Sequence, residues 1–485
     1  MSALFLETIG KPFFNPYIYY ALCTLLAVGV LLGIFLMSKV KLSVLGNKIS
    51  AVCMALGIVL VLIYNQIFPS WVLYIGIAVG AILGFILSIR AKMIEMPEIV
   101  ALLNGLGGGA SAIVGAFALM GIGAGLDAFS LTTSGLALAI GMITLFGSLV
   151  AAGKLHRLLP QKPIVLRGHQ ALTSAKLIGL LAVIILSTVL VSTGVMPMSY
   201  MWIMLVLNIL LSSAFGILFS IRVGGADMPI TISLLNSLSG VAGAIAGLAI
   251  GDILLVAVGG IVGASGLLLT QIMCKAINRH LMDILLGKTS GSGKEQQTTK
   301  DAVPTTKADN ADKEVKPKED PITVLNNAKN VIIVPGYGMA IAQAQHLVKQ
   351  LADKLVTKGA KVKYAIHPVA GRMPGHMNVL LCEANVDYED LYEMSDINDE
   401  FATADLTVVV GANDVLNPAA REAVGTPIYG MPVLNVDKCK NVFIFNYDTK
   451  PGYAGVQNPL YTKEEGVYLY LGNAAETLND VLSKI

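Results

Sequence analysis

Charge is scarce in this chain of 485 residues: 14% of them are charged, whereas 55% are hydrophobic. With a mean hydropathy of +0.70, that balance excludes an ordinary water-soluble enzyme. The formal net charge of +2 says little, because the charges are segregated along the chain. The five cysteines (Cys23, Cys53, Cys274, Cys382, Cys439) form no CxxC and no regular spacing. This excludes a disulfide scaffold and leaves structural thiols as the reading. The lysines between residues 287 and 321 alternate with acids and have no aromatic neighbours, so they do not form a nucleic-acid surface. The N-terminus lacks a basic segment followed by an apolar run and a small-residue cleavage site, so its first apolar stretch reads as a retained helix. No histidine falls within a long apolar run; His156, His169 and His280 lie in flanks, where solvation is the default.

What the chain has instead is an abrupt change of solvent near residue 285. Nine apolar runs precede it, at about 18–37, 50–68, 71–89, 97–120, 131–153, 175–193, 199–220, 229–250 and 252–273. Each is long enough to cross a bilayer as a helix. A Ser/Thr/Lys-rich stretch follows, then a soluble α/β sequence. The expected domains are a membrane domain at 1–286, a flexible charged linker at 287–321 and a nucleotide-binding domain at 322–485.

The basic residues alternate from loop to loop. Lys39, Lys41 and Lys48 follow the first span, and Arg90 and Lys92 the third. Lys154, Arg157, Lys162 and Arg167 follow the fifth, Arg222 the seventh, and Lys275 and Arg279 the ninth. The other loops hold Asp127 and Asp252 and no Lys or Arg. By the positive-inside rule the N-terminus is expected outside and the C-terminal domain in the cytoplasm.

Glycines inside the spans, such as Gly105, Gly108, Gly240 and Gly247, predict close helix packing. A repeat also stands out: GFILSIRAKMIEMPEIVALLNGLGGGASAIVG from Gly84 aligns without gaps to GILFSIRVGGADMPITISLLNSLSGVAGAIAG from Gly216. It matches Arg90 with Arg222, Glu95 with Asp227, Pro97 with Pro229 and Asn104 with Asn236. An even number of spans separates the copies, so they share an orientation, as in transport paths built at a pseudo-symmetry interface. Duplicated scaffolding is the plainer alternative. Asn104 and Asn236 favour the path, because an unpartnered amide in an apolar span is costly. Ser148, Ser237, Ser239, Ser265 and Thr270 are weaker signals, since small hydroxyls bond back to their own helix. Glu95 and Asp227 are either helix-end pairs for their arginines or a gate.

In the soluble half, VIIV, VKYAI, LTVVVG, PVLNV, VFIFNY and VYLYLG read as six strands alternating with helices. One of those helices is expected to run from PGYGMA to about Thr357, and the last to begin near Ala474. The pattern predicts a doubly wound, mostly parallel Rossmann-like sheet with ligand at the carboxyl ends of its strands. Gly336-Tyr337-Gly338 suits a backbone approaching a pyrophosphate at a helix N-terminus. The ordinary dinucleotide fingerprint is incomplete: Ile341 replaces its third glycine, and His367 stands where an acid should end the second strand.

PGYGMAIAQAQ, HPVAGRMPGHMNVLL, EMxxINDEFA, VGANDVLNPAA, GMPVL and GYAGVQNPL together resemble the NADP(H)-binding domain of proton-translocating nicotinamide nucleotide transhydrogenases. GGADMP with LLNSLSG, and IMCKAxNR, resemble the membrane domain of the same family, and the likeness is to its beta subunit. It implies NADP(H) bound in a reversed orientation, which would account for the missing acid. The resemblance also implies NAD(H) on a separate alpha subunit, assembly as a dimer of such heteromers, and a bacterial inner-membrane location. Carried over by motif, Gly336, Tyr337 and Gly338, with Met339, Ala340 and Ile341, approach the dinucleotide. Val369, Ala370, Gly371, Arg372 and Met373 line its phosphates. Gly411, Ala412, Asn413 and Asp414 lie near the nicotinamide-ribose side. Gly452, Tyr453 and Ala454 belong to a loop that closes over the cofactor, with Gly472 and Asn473 completing the edge.

Two departures matter. Many relatives carry a Lys-Arg pair for the 2′-phosphate where this chain has Asn446 and Tyr447, followed by Asp448, so Lys450 or Arg372 must supply the charge. Some carry a titratable histidine where this chain has Asn104. The proton path expected from the resemblance then runs through Asn104, Asn236, Ser148 and Ser265, with Asp227 and Arg222 at the junction. No side-chain nucleophile, catalytic base or metal is expected, because the nicotinamides carry the hydride chemistry. The competing reading is a transporter or channel whose cytoplasmic domain senses a dinucleotide.

Overall fold

A computed structural model describes the chain except for residues 1–14, 40–41, 67–70, 92–94, 124, 161–162, 196, 198–199, 225–226, 277–279, 286–319, 372–374, 425, 427, 453 and 464. It divides into two compact units, Met1–Gln271 and Ile272–Ile485. Nearly all of the expected linker at 287–321 lies outside the described residues.

Among the described residues nine helices are long and apolar enough to cross a membrane. They are α1 (Pro16–Met37), α2 (Ser43–Tyr64), α3 (Trp71–Arg90), α4 (Met96–Leu119), α5 (Ala128–Leu155), α6 (His169–Ser192), α7 (Met201–Ile221), α8 (Met228–Ile250) and α9 (Ile253–Ala276). A short helix, α10 (Leu281–Leu285), follows. Helix starts carry familiar signals: Asn15 caps α1 through Tyr17 N at 3.0 Å, and Asp127 caps α5 through Phe129 N and Ser130 N. Pro97 and Pro229 sit in the first turns of α4 and α8, where a missing N–H costs nothing.

Two spans differ from their expected bounds. α2 begins at Ser43 rather than near 50 and ends at Tyr64, before Gln66 takes a positive φ of 53°. α6 begins at His169 rather than near 175. Apolar content marks the part of a helix suited to lipid, whereas the helix itself extends through the polar residues flanking it.

α5 is the centre of the bundle and packs against α4, α6, α7 and α8. Glycine makes the tightest seam possible. A Cβ on Gly108 of α4 would lie 2.8 Å from Gly141 O of α5, and one on Gly141 would lie 2.7 Å from Ala112 N. The close-packing role expected of these glycines is what the bundle uses. The repeat is visible as α3–α4 against α7–α8. Their environments differ, since α3 has no buried residue while α7 buries Asn208, Ser212, Gly216 and Ser220.

The second unit holds six parallel strands in the order β3-β2-β1-β4-β5-β6. These are β1 (Asn330–Pro335), β2 (Lys361–Ile366), β3 (Leu391–Glu393), β4 (Leu406–Val410), β5 (Val442–Asn446) and β6 (Val467–Leu471). β1 and β4 are buried almost throughout, as expected of central parallel strands covered on both faces. The order reverses between β1 and β4, which pair in register from Val331↔Leu406 to Pro335↔Val410.

One expected strand is replaced by another. PVLNV (432–436) joins no sheet and runs into a 3-10 turn at Val436: Asn398 serves its backbone, with Nδ2 donating to Val433 O (3.1 Å) and Oδ1 accepting from Asn435 N (2.8 Å). The sixth strand is instead β3, two half-buried residues and one exposed at the edge beside Tyr364–Ile366. The first helix is also broken. α11 (Pro321–Asn327) precedes β1; after it α12 (Tyr337–Ile341) stops, Gln343 takes a φ of 50°, and α13 (Gln345–Thr357) begins afresh. α13 buries Val348, Leu351, Ala352 and Leu355, the i, i+3, i+4, i+7 stripe of a helix on a sheet. α14 (His376–Glu383), α15 (Met394–Ile397), α16 (Ala419–Glu422) and α17 (Ala474–Lys484) complete the layer.

Candidate functional site

At the carboxyl ends of β1 and β4, where the strand order reverses, two glycine turns meet. Doubly wound sheets bind their ligands at such a switch point. A Cβ on Gly336 would lie 2.3 Å from Gly411 O, and one on Gly411 (φ 66°) would lie 2.3 Å from Met339 N. Only glycine permits this contact. Gly336 N donates to Val410 O and Gly338 N to Gly411 O, both at 2.8 Å. These two amides are therefore committed to the neighbouring turn, and α12 is only five residues long. The glycines shape the crevice floor rather than forming the extended helix N-terminus expected from the sequence. Met339 and Ala340 are buried beneath it, and Ile341 is exposed beside it.

Above the floor, the segment after β5 is fastened to the β4 turn. Asn413 Nδ2 donates to Lys450 O (3.0 Å), and Ala454 N donates to Asp414 Oδ2 (3.0 Å). Asn458 Nδ2 donates to Asn413 Oδ1 (3.1 Å), while Asn458 Oδ1 accepts from Leu460 N (3.0 Å). Gly452 lies against the Asp414 carboxylate, where a Cβ would come within 2.6 Å of both oxygens. Asn446 points inward, donating to Tyr461 Oη at 2.8 Å, and Tyr461 Oη donates to Ala412 O at 3.2 Å. Burial holds the Tyr461 phenol above its ordinary value, so it stays a neutral donor. Sequence reasoning missed Asn458 and Tyr461. The run that contains Asn458 was legible; its role depends on a bond made across 45 positions.

The remaining expected residues fall into distinct groups. Tyr447 is exposed, and Lys450, 83% exposed, lies 3.5 Å from Asp448. Asp448 Oδ1 also accepts from Lys450 N (3.1 Å), so the acid organises the turn that carries the lysine. Gly472 N donates to Asn446 O (3.0 Å), and Asn473 caps α17 through Ala475 N (2.9 Å). Val369, Ala370 and Gly371 form the turn after β2, with Gly371 at φ 101° against the His376 ring. Arg372, Met373 and Tyr453 lie outside the described residues.

His367 explains the position that an acid normally holds. It is 2% exposed; its Nε2 donates to Pro432 O (2.9 Å) and its Nδ1 accepts from Val369 N (3.3 Å). Burial pushes the imidazole down to about 4. The residue is a structural tie from β2 to the 432–436 segment.

In the other unit, Asn104 is buried and its Nδ2 donates to Ile232 O of α8 at 3.4 Å. Asn236 is half-buried and its side-chain amide bonds to no other described residue, so the two amides do not pair. Ser148 is fully buried with its hydroxyl unbonded to any described residue, whereas Ser265 bonds back to Val262 O at 3.0 Å. Ser237 and Thr270 instead bridge α8 and α9, through Gly263 O (2.6 Å) and Ser233 Oγ (2.9 Å). Arg222 ends α7 at 7% exposed and Asp227 begins α8, also buried.

His156 is exposed, as expected of a solvated flank, whereas His169 differs from that default. His156 Nδ1 pairs with Glu98 Oε2 at 3.0 Å. His169 is 4% exposed, with Nε2 donating to Leu218 O (2.9 Å) and Nδ1 accepting from Leu166 N (3.4 Å). Both sit where helix ends meet, at contacts between residues far apart in sequence.

A sequence model described as NAD(P) transhydrogenase beta subunit matches residues 19–484. Two relatives named NAD(P) transhydrogenase subunit beta, from Rhodospirillum rubrum and from a specific strain of it, are each 39% identical over 447 residues. The match covers 90% of this chain and 92% of each relative. With the apolar helix bundle and the parallel sheet already described, these matches show that the chain belongs to the NAD(P) transhydrogenase beta subunit family.

Proposed function

We propose that this chain binds NADP(H) at the β1–β4 crevice and exchanges hydride with NAD(H) held on a separate alpha subunit. The membrane unit couples that exchange to proton movement. The host membrane is a bacterial inner membrane, with the N-terminus outside and the sheet domain in the cytoplasm, joined by a tether at 287–321. The assembly is a dimer of such heteromers, and transfer is Re/Si-specific.

The observation that carries this reading is the segment from Lys450 to Asn458, fastened over the switch point by Asn413 and Asp414. A sensor needs only a crevice, whereas hydride transfer needs its nucleotide held and water kept away. In this chain Asp414 and Asn458 hold the cover, Gly336 and Gly411 let the two turns close up beneath it, and Lys450 supplies a mobile cation at its rim. When bound, the nicotinamide supplies the hydride chemistry itself.

In the membrane unit Asn104 ties α4 to α8, while Asn236 and Ser148 retain polar groups that can bind water. The family reading of a proton route through them is supported by those groups and by the repeat. The test is calorimetric titration of the purified chain with both nicotinamide dinucleotides, followed by a hydride-transfer assay with and without an alpha subunit. Saturable NADP(H) binding, and transfer only in the presence of the alpha subunit, is expected. Binding without transfer in the complete assembly would favour the sensor.

A further inference from the structure

The end of α7 is held in an unusual way. A helix leaves its last carbonyls without intrahelical donors, and water or a cap normally serves them. Here they are served by other elements. Leu218 O accepts from His169 Nε2 at 2.9 Å, and Ile221 O accepts from Ile164 N at 3.2 Å. Lys154, from the last turn of α5, donates its ammonium to Ile221 O and, at 2.7 Å, to Val223 O.

Lys154 is 0% exposed, and no described carboxylate pairs with it. Removing an ammonium from water costs several kcal/mol, and two neutral carbonyls offset only part of that. A hydrophobic residue would pack there at less cost, and an ionisable side chain within a membrane span marks function by default. Arg222 lies between the two carbonyls that Lys154 pins, and Asp227 follows it by five residues. Among the described residues the other repeat shows no such device: Arg90, the counterpart of Arg222, is exposed on a helix with no buried residue. Duplication alone does not account for the pin.

We infer that Lys154 is a positioning residue for proton coupling, gripping the end of α7 so that the α7–α8 turn carries Arg222 and Asp227 in one fixed register. This rests on the proposed reading that the membrane unit couples proton movement to hydride exchange. The grip needs both reach and charge, because one donor group spans two carbonyls on either side of Arg222. His169 is the second tie in the same socket.

The test uses the complete assembly with its alpha subunit in proteoliposomes, comparing wild type with Lys154→Gln, Lys154→Arg and His169→Phe. Hydride transfer is read with an imposed proton gradient and again after the gradient is collapsed by an uncoupler. For Lys154→Gln the gradient-driven rate should fall about tenfold or more, as for loss of a charge-assisted bond. The uncoupled rate and the KM for NADP(H) should stay within about twofold, and Lys154→Arg should restore most of the driven rate. An unchanged driven rate, or an equal loss of both rates, overturns the inference, since the first needs no pin and the second is plain misfolding. If Lys154→Gln does not assemble, His169→Phe decides by the same two rates: a selective loss of the driven rate supports the pin, and any other result overturns it. A wild type with no gradient response sinks the proposed function itself, and the pin with it. A coupled wild type beside an equally coupled Lys154→Gln sinks the pin alone.

Discussion

Asn104 and Asn236 occupy matching places in the two repeats yet sit in different surroundings. Asn104 bonds across to α8, while the side-chain amide of Asn236 bonds to no other described residue. Asn104→Leu should therefore lower the melting temperature, by an amount set by one buried hydrogen bond of about 1 kcal/mol. Asn236→Leu should leave the melt unchanged and slow gradient-driven hydride transfer. A thermal melt beside the driven assay separates the two, and the opposite assignment of effects would reverse their roles. His367 gives a pH signature. Its folded value, about 4, lies below the ordinary 6.5, so between those values the unfolded chain binds a proton that the folded one refuses. Its contribution to stability is whole above about pH 6.5 and lost as pH falls toward 4, at up to about 1.4 kcal/mol per unit. Melts of the purified protein from pH 7.5 to 4.5 should show a shallower decline for His367→Gln than for wild type; parallel slopes would contradict the assignment. At the rim, Lys450→Ala should weaken NADP(H) much more than NAD(H), and Asp448→Asn, which releases Lys450 from its acid, should tighten NADP(H). Competitive titration of both cofactors checks this, and equal effects on the two would mean that the 2′-phosphate is read elsewhere.

At the scale of elements, legibility followed how local the cause is. Each of the nine spans was readable because twenty apolar residues leave no other solution. The β1 and β4 strands were readable from their β-branched runs. PVLNV misled because its composition is that of a strand, whereas its partner is the Asn398 side chain 37 positions away from Asn435. β3 was hidden because three residues at a sheet edge are too few to show a periodicity. In the site, the glycine turns and Asn413-Asp414 were visible as unusual runs after strands. Asn458, Tyr461, Lys154 and His169 were not, since each acts through a bond to a distant backbone or side chain. The fastened segment after β5 carries its own prediction. Asn458→Ala removes the tie to Asn413 and should speed NADP(H) release by about two- to tenfold, the equivalent of about 0.5–1.5 kcal/mol for a neutral hydrogen bond. Stopped-flow displacement measures it, and an unchanged off-rate would mean the segment is no cover.

The whole molecule joins a bundle of membrane-spanning length to a sheet domain with a crevice where its strand order reverses, and the family places both in one subunit of a transhydrogenase. The repeat gives the bundle two related halves with unequal packing: α7 is gripped at its end, whereas α3 buries none of its residues. Such asymmetry suits an element with two positions that both a proton and a nucleotide bias, and that coupling is reciprocal. Its direct measurement is hydride transfer from NADH to NADP in proteoliposomes holding the chain with its alpha subunit, before and after a proton gradient is imposed. Acidification of the side bearing the N-terminus should accelerate transfer, and an uncoupler should return it to the starting rate. Transfer at the same rate with the gradient present, absent or collapsed would contradict a coupled membrane unit.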